Sequence, residues 1–202
     1  MDLNVEQLPK EVLNEYFLLA DRLESLKDQD ECQEKFLEFV RLVWPGFIEG
    51  EHHRIIAQKF QDVAQGKLKR LIVNMPPRHT KSEFASYLFP AWLIGRRPDL
   101  KIIQTTHTGE LAVRFGRKMR NLMDSGDYSR VFPKTKLRAD TKAAGRWETD
   151  EGGEYYASGV GGAITGRGAD LLIIDDPHSE QDALSATAMD NAYEWYTSGP
   201  RQ

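Results

Sequence analysis

The chain has 202 residues, of which 40% are hydrophobic and 29% charged, with a net charge of −4; that length suits one α/β domain burying about 70% of its unfolded surface. Its single cysteine, Cys32, excludes an internal disulfide and fits a reducing cytosol, and no apolar run approaches the roughly 20 residues of a membrane span. Charge is unevenly spread: residues 1–66 hold fourteen acidic and seven basic side chains, residues 114–146 ten basic and three acidic, and residues 148–190 ten acidic and one basic.

The opening, Met-Asp-Leu-Asn-Val-Glu, lacks the basic and apolar regions of a secretory leader. Residues 8–27 carry apolar side chains at helical spacing, with Pro9 in the first turn, and predict an amphipathic helix. Asp28-Gln29-Asp30 predicts a break. A second helix is expected over 31–43, stopped by Trp44-Pro45-Gly46. A third is expected over about 51–64, with Gly66 just past its end. It begins Glu51-His52-His53-Arg54. Adjacent histidines on a helix point about 100° apart, so they do not form a shared metal pair.

The run Leu71-Ile72-Val73-Asn74-Met75 reads as a buried strand. It leads through Pro76-Pro77-Arg78-His79-Thr80 into Lys81-Ser82-Glu83 and a helix expected to reach about residue 94. This is the strand–loop–helix setting of a phosphate-binding loop. Backbone N–H groups and the positive helix end would cradle phosphate oxygens. Lys81 would contact the β- and γ-phosphates, and the Ser82 hydroxyl would ligate Mg²⁺. In the pattern G-x-x-x-x-G-K-[ST], Met75 and Thr80 stand where glycines are usual. Pro90 is expected to kink or interrupt the helix.

A strand is predicted over 101–106, then a Thr-Thr-His-Thr loop whose Thr108 caps a helix over 109–123. In that loop His107 is open to a catalytic-base role or a capping one. Arg114, Arg117 and Lys118 share a helix face by their spacing. With Lys134 and Lys136 they are candidates to touch duplex DNA phosphates without reading sequence. Residues 124–145 read as a mobile basic excursion from the sheet. Gly152-Gly153 between alternating runs predicts a β-hairpin. Five glycines in residues 159–168 follow, then the apolar run Leu171-Leu172-Ile173-Ile174, expected to be buried on both faces and ending in Asp175-Asp176. Ligands of open α/β sheets bind at such carboxyl ends. Asp175 would hold the Mg²⁺ shell, and Asp176 would orient or deprotonate the attacking water. A last helix is expected over 183–197.

Two stretches, Met75-Pro-Pro-Arg-His-Thr-Lys-Ser-Glu83 and the glycine-rich run from Gly159 through Asp175-Asp176-Pro177, resemble the Walker A and Walker B regions of the large terminase subunit of tailed bacteriophages. Those proteins are ATP-driven DNA-packaging motors with an N-terminal ATPase and a C-terminal nuclease. The similarity runs from about Phe47 onward. It implies a helical segment over 1–46 and an ATPase domain over 47–202. The implied fold is a three-layer α/β P-loop NTPase of the ASCE type, with a mainly parallel central sheet and a helical N-terminal extension. The implied cofactors are ATP and Mg²⁺. The implied partners are double-stranded DNA, the portal protein, the small terminase subunit and further copies in a ring, with no membrane. The setting would be the host cytoplasm and, transiently, the procapsid.

The resemblance also assigns residues. Pro77, Arg78, His79, Thr80, Lys81, Ser82 and Glu83 would line the nucleotide, and Gln58 could bond an adenine edge. Arg167 is a candidate finger toward a neighbouring subunit's nucleotide, with Arg78 the competing internal one. Glu180 is the fallback for Asp176 as the water-orienting carboxylate. The family usually has Gly where this chain has Thr80, so Thr80→Gly is expected to leave nucleotide affinity intact. Nothing resembling the family's next strand, its coupling motif or its acidic nuclease cluster follows. A shortened ATPase domain with an open sheet edge is therefore expected. The rival readings are another DNA-dependent or helicase-like phosphate-loop ATPase, and a non-catalytic fragment that binds nucleotide or DNA.

Overall fold

A computed structural model describes residues 9–164 and 166–199. Pro9 precedes helix α1 (Lys10–Glu34); Leu8, which the helical pattern included, lies outside the described residues. The break expected at 28–30 does not occur. The side-chain amides of Gln29 and Gln33, one turn apart, both donate to the Val131 carbonyl and tie this end of α1 to the body. Lys35 is extended and separates α1 from α2 (Phe36–Val43).

Helix α2 is strongly amphipathic, and Phe36, Phe39 and Val40 are fully buried. The Phe36 ring meets Phe60, Phe84, Phe89 and Trp92 at centroid distances of 5.5 to 5.8 Å. Aromatic clusters of this kind favour edge-to-face contacts over parallel overlap. Helix α2 therefore shares one core with residues well beyond position 47. Helix α3 (Glu51–Ala64) turns Ile56, Ala57 and Phe60 into the same core. Gly66 closes it with a φ of +72°, as a glycine past a helix end does at little cost.

The chain from 81 to 96 is helical throughout but changes register: α4 (Lys81–Glu83), a π turn (Phe84–Leu88) and α5 (Phe89–Arg96). The Phe89 N–H reaches back five residues to the Phe84 carbonyl. This widening accommodates Pro90, which has no N–H to give and whose ring would clash with the carbonyl four residues back. The expected break at Pro90 is replaced by a bulge.

The sheet has five strands in the order β2-β3-β4-β1-β5. They are β1 (Lys101–Thr106), β2 (Leu137–Ala143), β3 (Arg146–Thr149), β4 (Glu154–Gly159) and β5 (Leu171–Asp175). β1 runs parallel to β4 and to β5, whereas β2, β3 and β4 form an antiparallel meander. The fold is thus α/β, with a mixed sheet around a parallel core. The β3–β4 hairpin turns at Gly152-Gly153 as its sequence predicted.

Three expectations are corrected. Residues 71–75 join no ladder among the described residues; Leu71, Val73 and Met75 rest against the core while Ile72 is 87% exposed. The segment 124–145 is not a loose excursion, because it supplies α7 (Gly126–Val131), with Tyr128 fully buried, and edge strand β2. β5 is the other edge, so Leu171, Leu172 and Ile173 are only half-buried and Ile174 is 37% exposed. Helix α6 (Gly109–Met123), capped by the Thr108 hydroxyl, lies across β4 and β1. A single 3₁₀ turn precedes α8 (Ala186–Ser198), which is anchored where the Trp195 indole donates to the Gly162 carbonyl (3.1 Å). No helix among the described residues is long and apolar enough to cross a membrane.

Candidate functional site

The loop between 76 and 81 bends through two left-handed residues, Arg78 and Thr80, each with φ of 63°. Alternating left-handed residues aim successive backbone N–H groups to one side, the arrangement that receives anions. Thr80 is then the entry to α4, and its carbonyl accepts the Phe84 N–H (3.0 Å). The Pro77 carbonyl accepts from His79 Nδ1 (2.9 Å), tightening the loop.

Lys81 and the two carboxylates converge. The Lys81 ammonium is hydrogen-bonded to Asp176 and lies 3.4 Å from Asp175. Partial burial opposes its charge, but the Asp176 hydrogen bond and the fields of Asp175 and Asp176 outweigh burial and raise its pKa above that of an ordinary lysine. Asp175 is 6% exposed and closes β5; Asp176, next along, is exposed and has φ of 44°. The two neighbours therefore face different surroundings, one buried carboxylate and one open to solvent. The Asp176 carbonyl accepts the His107 N–H (3.2 Å), joining the loop after β1 to the end of β5.

A residue that the sequence reading missed completes this corner. Ser86, fully buried, donates its hydroxyl to Asp175 Oδ2 (2.8 Å). It stands inside the π turn, so the bulge that accommodates Pro90 also sets the Ser86 hydroxyl opposite β5. The signal was present in Pro90, which sits four residues after Ser86. A second missed residue is His53, 5% exposed, whose Nε2 lies 2.7 Å from the Thr80 hydroxyl.

The other expected site residues divide. Ser82 follows Lys81 on the first turn and is half-buried. Arg78 and Thr80 line a cleft of about 490 Å³ with Trp44, Glu83, Tyr87 and Lys118, while Lys81, Asp175 and Asp176 do not. Glu83 forms an ion pair with Lys118, whose ammonium also sits 4.5 Å from the Tyr87 ring centre. Lys118 is therefore turned toward the loop helix, away from the role expected for it beside Arg114 and Arg117, which remain exposed, as do Lys134 and Lys136. Gln58 lies on the solvent face of α3 and bonds Asp62 (3.3 Å). Glu180 is exposed on the turn that Ser179 and Asp182 close with hydrogen bonds of 2.7 and 3.0 Å.

Arg167 is not at this chain's own site. Its guanidinium pairs with Glu154 (2.9 Å) and stacks 3.9 Å from the Tyr156 ring centre. Glu154 begins β4 opposite Lys101, whereas Asp175 lies at the far end of β1, opposite Thr106. Five residues of strand separate them, about 17 Å.

Among the described residues no group of three His, Cys, Asp or Glu side chains could hold a metal ion. Ser82 and Asp175 nonetheless suit Mg²⁺, which takes one or two protein oxygens and completes its shell with phosphate and water. No protein-family model matches the chain, and no curated protein sequence does.

Proposed function

We propose that this chain is a nucleoside-triphosphatase domain that binds MgATP at the 76–82 loop and hydrolyses its γ-phosphate, in the service of double-stranded DNA translocation into a viral procapsid. The observation that carries the reading is the meeting of the Lys81 ammonium with Asp175 and Asp176, about ninety residues away in sequence, at the carboxyl end of β5. Ser82 and Asp175 would hold Mg²⁺, whose charge would offset that of the phosphates. The loop N–H groups and Lys81 would hold and orient the phosphates. Asp175, fixed by Ser86, would offer an oxygen to the metal shell with Ser82. Asp176, exposed beside it, would orient the attacking water and accept its proton. Arg78, exposed on the loop, is the internal finger; Arg167 can serve only another subunit. Arg114, Arg117, Lys134 and Lys136 offer exposed charge for DNA phosphates. The portal, the small terminase subunit and the ring of copies belong to this reading through the family resemblance.

Lys81→Ala is expected to lower ATP turnover by at least about 10², the scale of losing one charge-stabilising donor. Asp176→Asn is expected to bind ATP and turn it over far more slowly. Steady-state phosphate release checks both, and wild-type rates in Lys81→Ala would sink the site. One observation favours a second reading, nucleotide binding without turnover: residues 71–75, which lead into the loop, have no strand partner among the described residues. ATP binding with no phosphate release, with or without DNA and portal assemblies, would decide for it.

A further inference from the structure

The loop residue Thr80 breaks a local rule. A β-branched residue with φ of 63° is uncommon, because its Cβ crowds the neighbouring carbonyl. Glycine would adopt this conformation freely, so something must hold threonine there. Its hydroxyl is engaged twice: it donates to the His79 carbonyl (2.6 Å) and lies 2.7 Å from His53 Nε2.

The roles in the second contact follow from the first turn of α3. The Gly50 N–H donates to His53 Nδ1 (2.9 Å), so Nδ1 carries the lone pair. In the neutral ring the proton then sits on Nε2, and Nε2–H donates to Thr80 Oγ1. The imidazole stands between Phe47 and Phe84, at centroid distances of 4.8 and 5.0 Å. Those rings confine its plane, and the two hydrogen bonds set which nitrogen faces Thr80. His52 lies alongside and touches His79 in turn, and the charged groups acting on the ring are these two histidines and Glu49, itself paired with Arg41 and Arg54. The resulting chain of bonds runs from the Gly50 N–H through the His53 ring and the Thr80 hydroxyl to the His79 carbonyl. It joins the start of α3 to the last residue before Lys81, across 27 positions of sequence.

We propose that His53 is a positioning residue: through the Thr80 hydroxyl it fixes the left-handed turn of the phosphate-binding loop and so sets the loop N–H groups for a nucleoside triphosphate. The phosphate part of this proposal rests on the nucleotide reading above; the latch itself does not. It also revises the expectation that Thr80→Gly is harmless, since glycine relieves the backbone but abandons His53.

The test uses the full chain and two readouts. Nitrogen NMR of the ligand-free protein is expected to show His53 as the Nε2–H tautomer, with slowed exchange of that proton. Affinity is measured with a fluorescent ATP analogue and Mg²⁺. Thr80→Val keeps the shape and removes the hydroxyl. It is expected to lose the protection and weaken binding about tenfold, the factor an ordinary hydrogen bond represents. Thr80→Ser restores a hydroxyl and is expected to recover most of that loss. His53→Gln, whose amide can reach the same place, is expected to bind more tightly than His53→Ala. Circular dichroism identifies any variant that fails to fold, in which case the tautomer and proton exchange of the wild-type His53 decide. An Nδ1–H tautomer, unchanged protection in Thr80→Val, or Thr80→Ser as weak as Thr80→Val overturns the latch. A wild type that binds no nucleotide but shows the expected tautomer and its loss in Thr80→Val overturns the functional reading and leaves the latch standing.

Discussion

At the scale of single residues, the candidate site depends on how a buried carboxylate is kept satisfied. Asp175 is 6% exposed and receives the Ser86 hydroxyl and the nearby Lys81 ammonium. A hydrogen bond to a charged group is worth about 1.5–3 kcal/mol, and deleting the donor leaves the acceptor desolvated. Ser86→Ala is therefore expected to lower stability by about that amount, read as a reduced denaturant midpoint at unchanged slope. An unchanged midpoint would mean that Ser86 contributes nothing to holding Asp175. Lys81, Asp175 and Asp176 were legible in the sequence because each belongs to a short motif on a nameable element. His53 and Ser86 were not. Their roles come from contacts 27 and 89 positions away; the one local hint, Pro90 four residues after Ser86, marks a helix irregularity and names no partner. Adjacent histidines in sequence suggest metal ligation, whereas the structure uses His53 as a hydrogen-bond relay.

At the scale of elements, the periodic and capped segments follow their sequence closely. α3, β1, α6 with its Thr108 cap, and the Gly152-Gly153 hairpin stand where their residues put them. The failures have identifiable causes. Polar residues at 28–30 looked like a break, but α1 continues because Gln29 and Gln33 find a carbonyl on α7. The basic stretch after α6 looked unstructured, but a buried Tyr128 and pairing with β3 order it. Two expected outcomes belong here. In α6, a Cβ on Gly116 would meet the Ala144 carbonyl oxygen and the Tyr155 ring at 2.5 Å. Overpacking of this kind costs about 1–3 kcal/mol, which exceeds the roughly 1 kcal/mol that alanine gains over glycine in a helix. Gly116→Ala should thus melt lower, and a higher melting temperature would refute the close approach. In α1, the residues from 14 to 28 are exposed, Phe17, Leu18 and Leu19 by 60 to 70%. A helix without tertiary contacts is marginal in water. Amide exchange of the isolated chain should be fast up to about residue 27 and slow from Gln29 onward; uniform protection would show that the projecting half is covered.

At the scale of the whole molecule, the two edges of the sheet are unlike. Strand β2 at one edge carries charge: its Arg138 bridges Asp140 (2.8 Å) on the same strand and Glu148 (2.9 Å) on β3. Charged side chains discourage a second chain from adding there. Strand β5 at the other edge is Leu-Leu-Ile-Ile-Asp, paired on one side alone among the described residues. Charge at the β2 edge has a geometric result. Head-to-tail stacking, β5 of one copy against β2 of the next, would build an open filament; the charged edge disfavours it. Two β5 edges can still meet each other about a twofold axis, and such a contact is self-complementary and closes on itself. Association through the sheet should accordingly stop at a pair, which sedimentation equilibrium over a range of concentrations would reveal. A ladder of larger species would implicate a surface other than this edge.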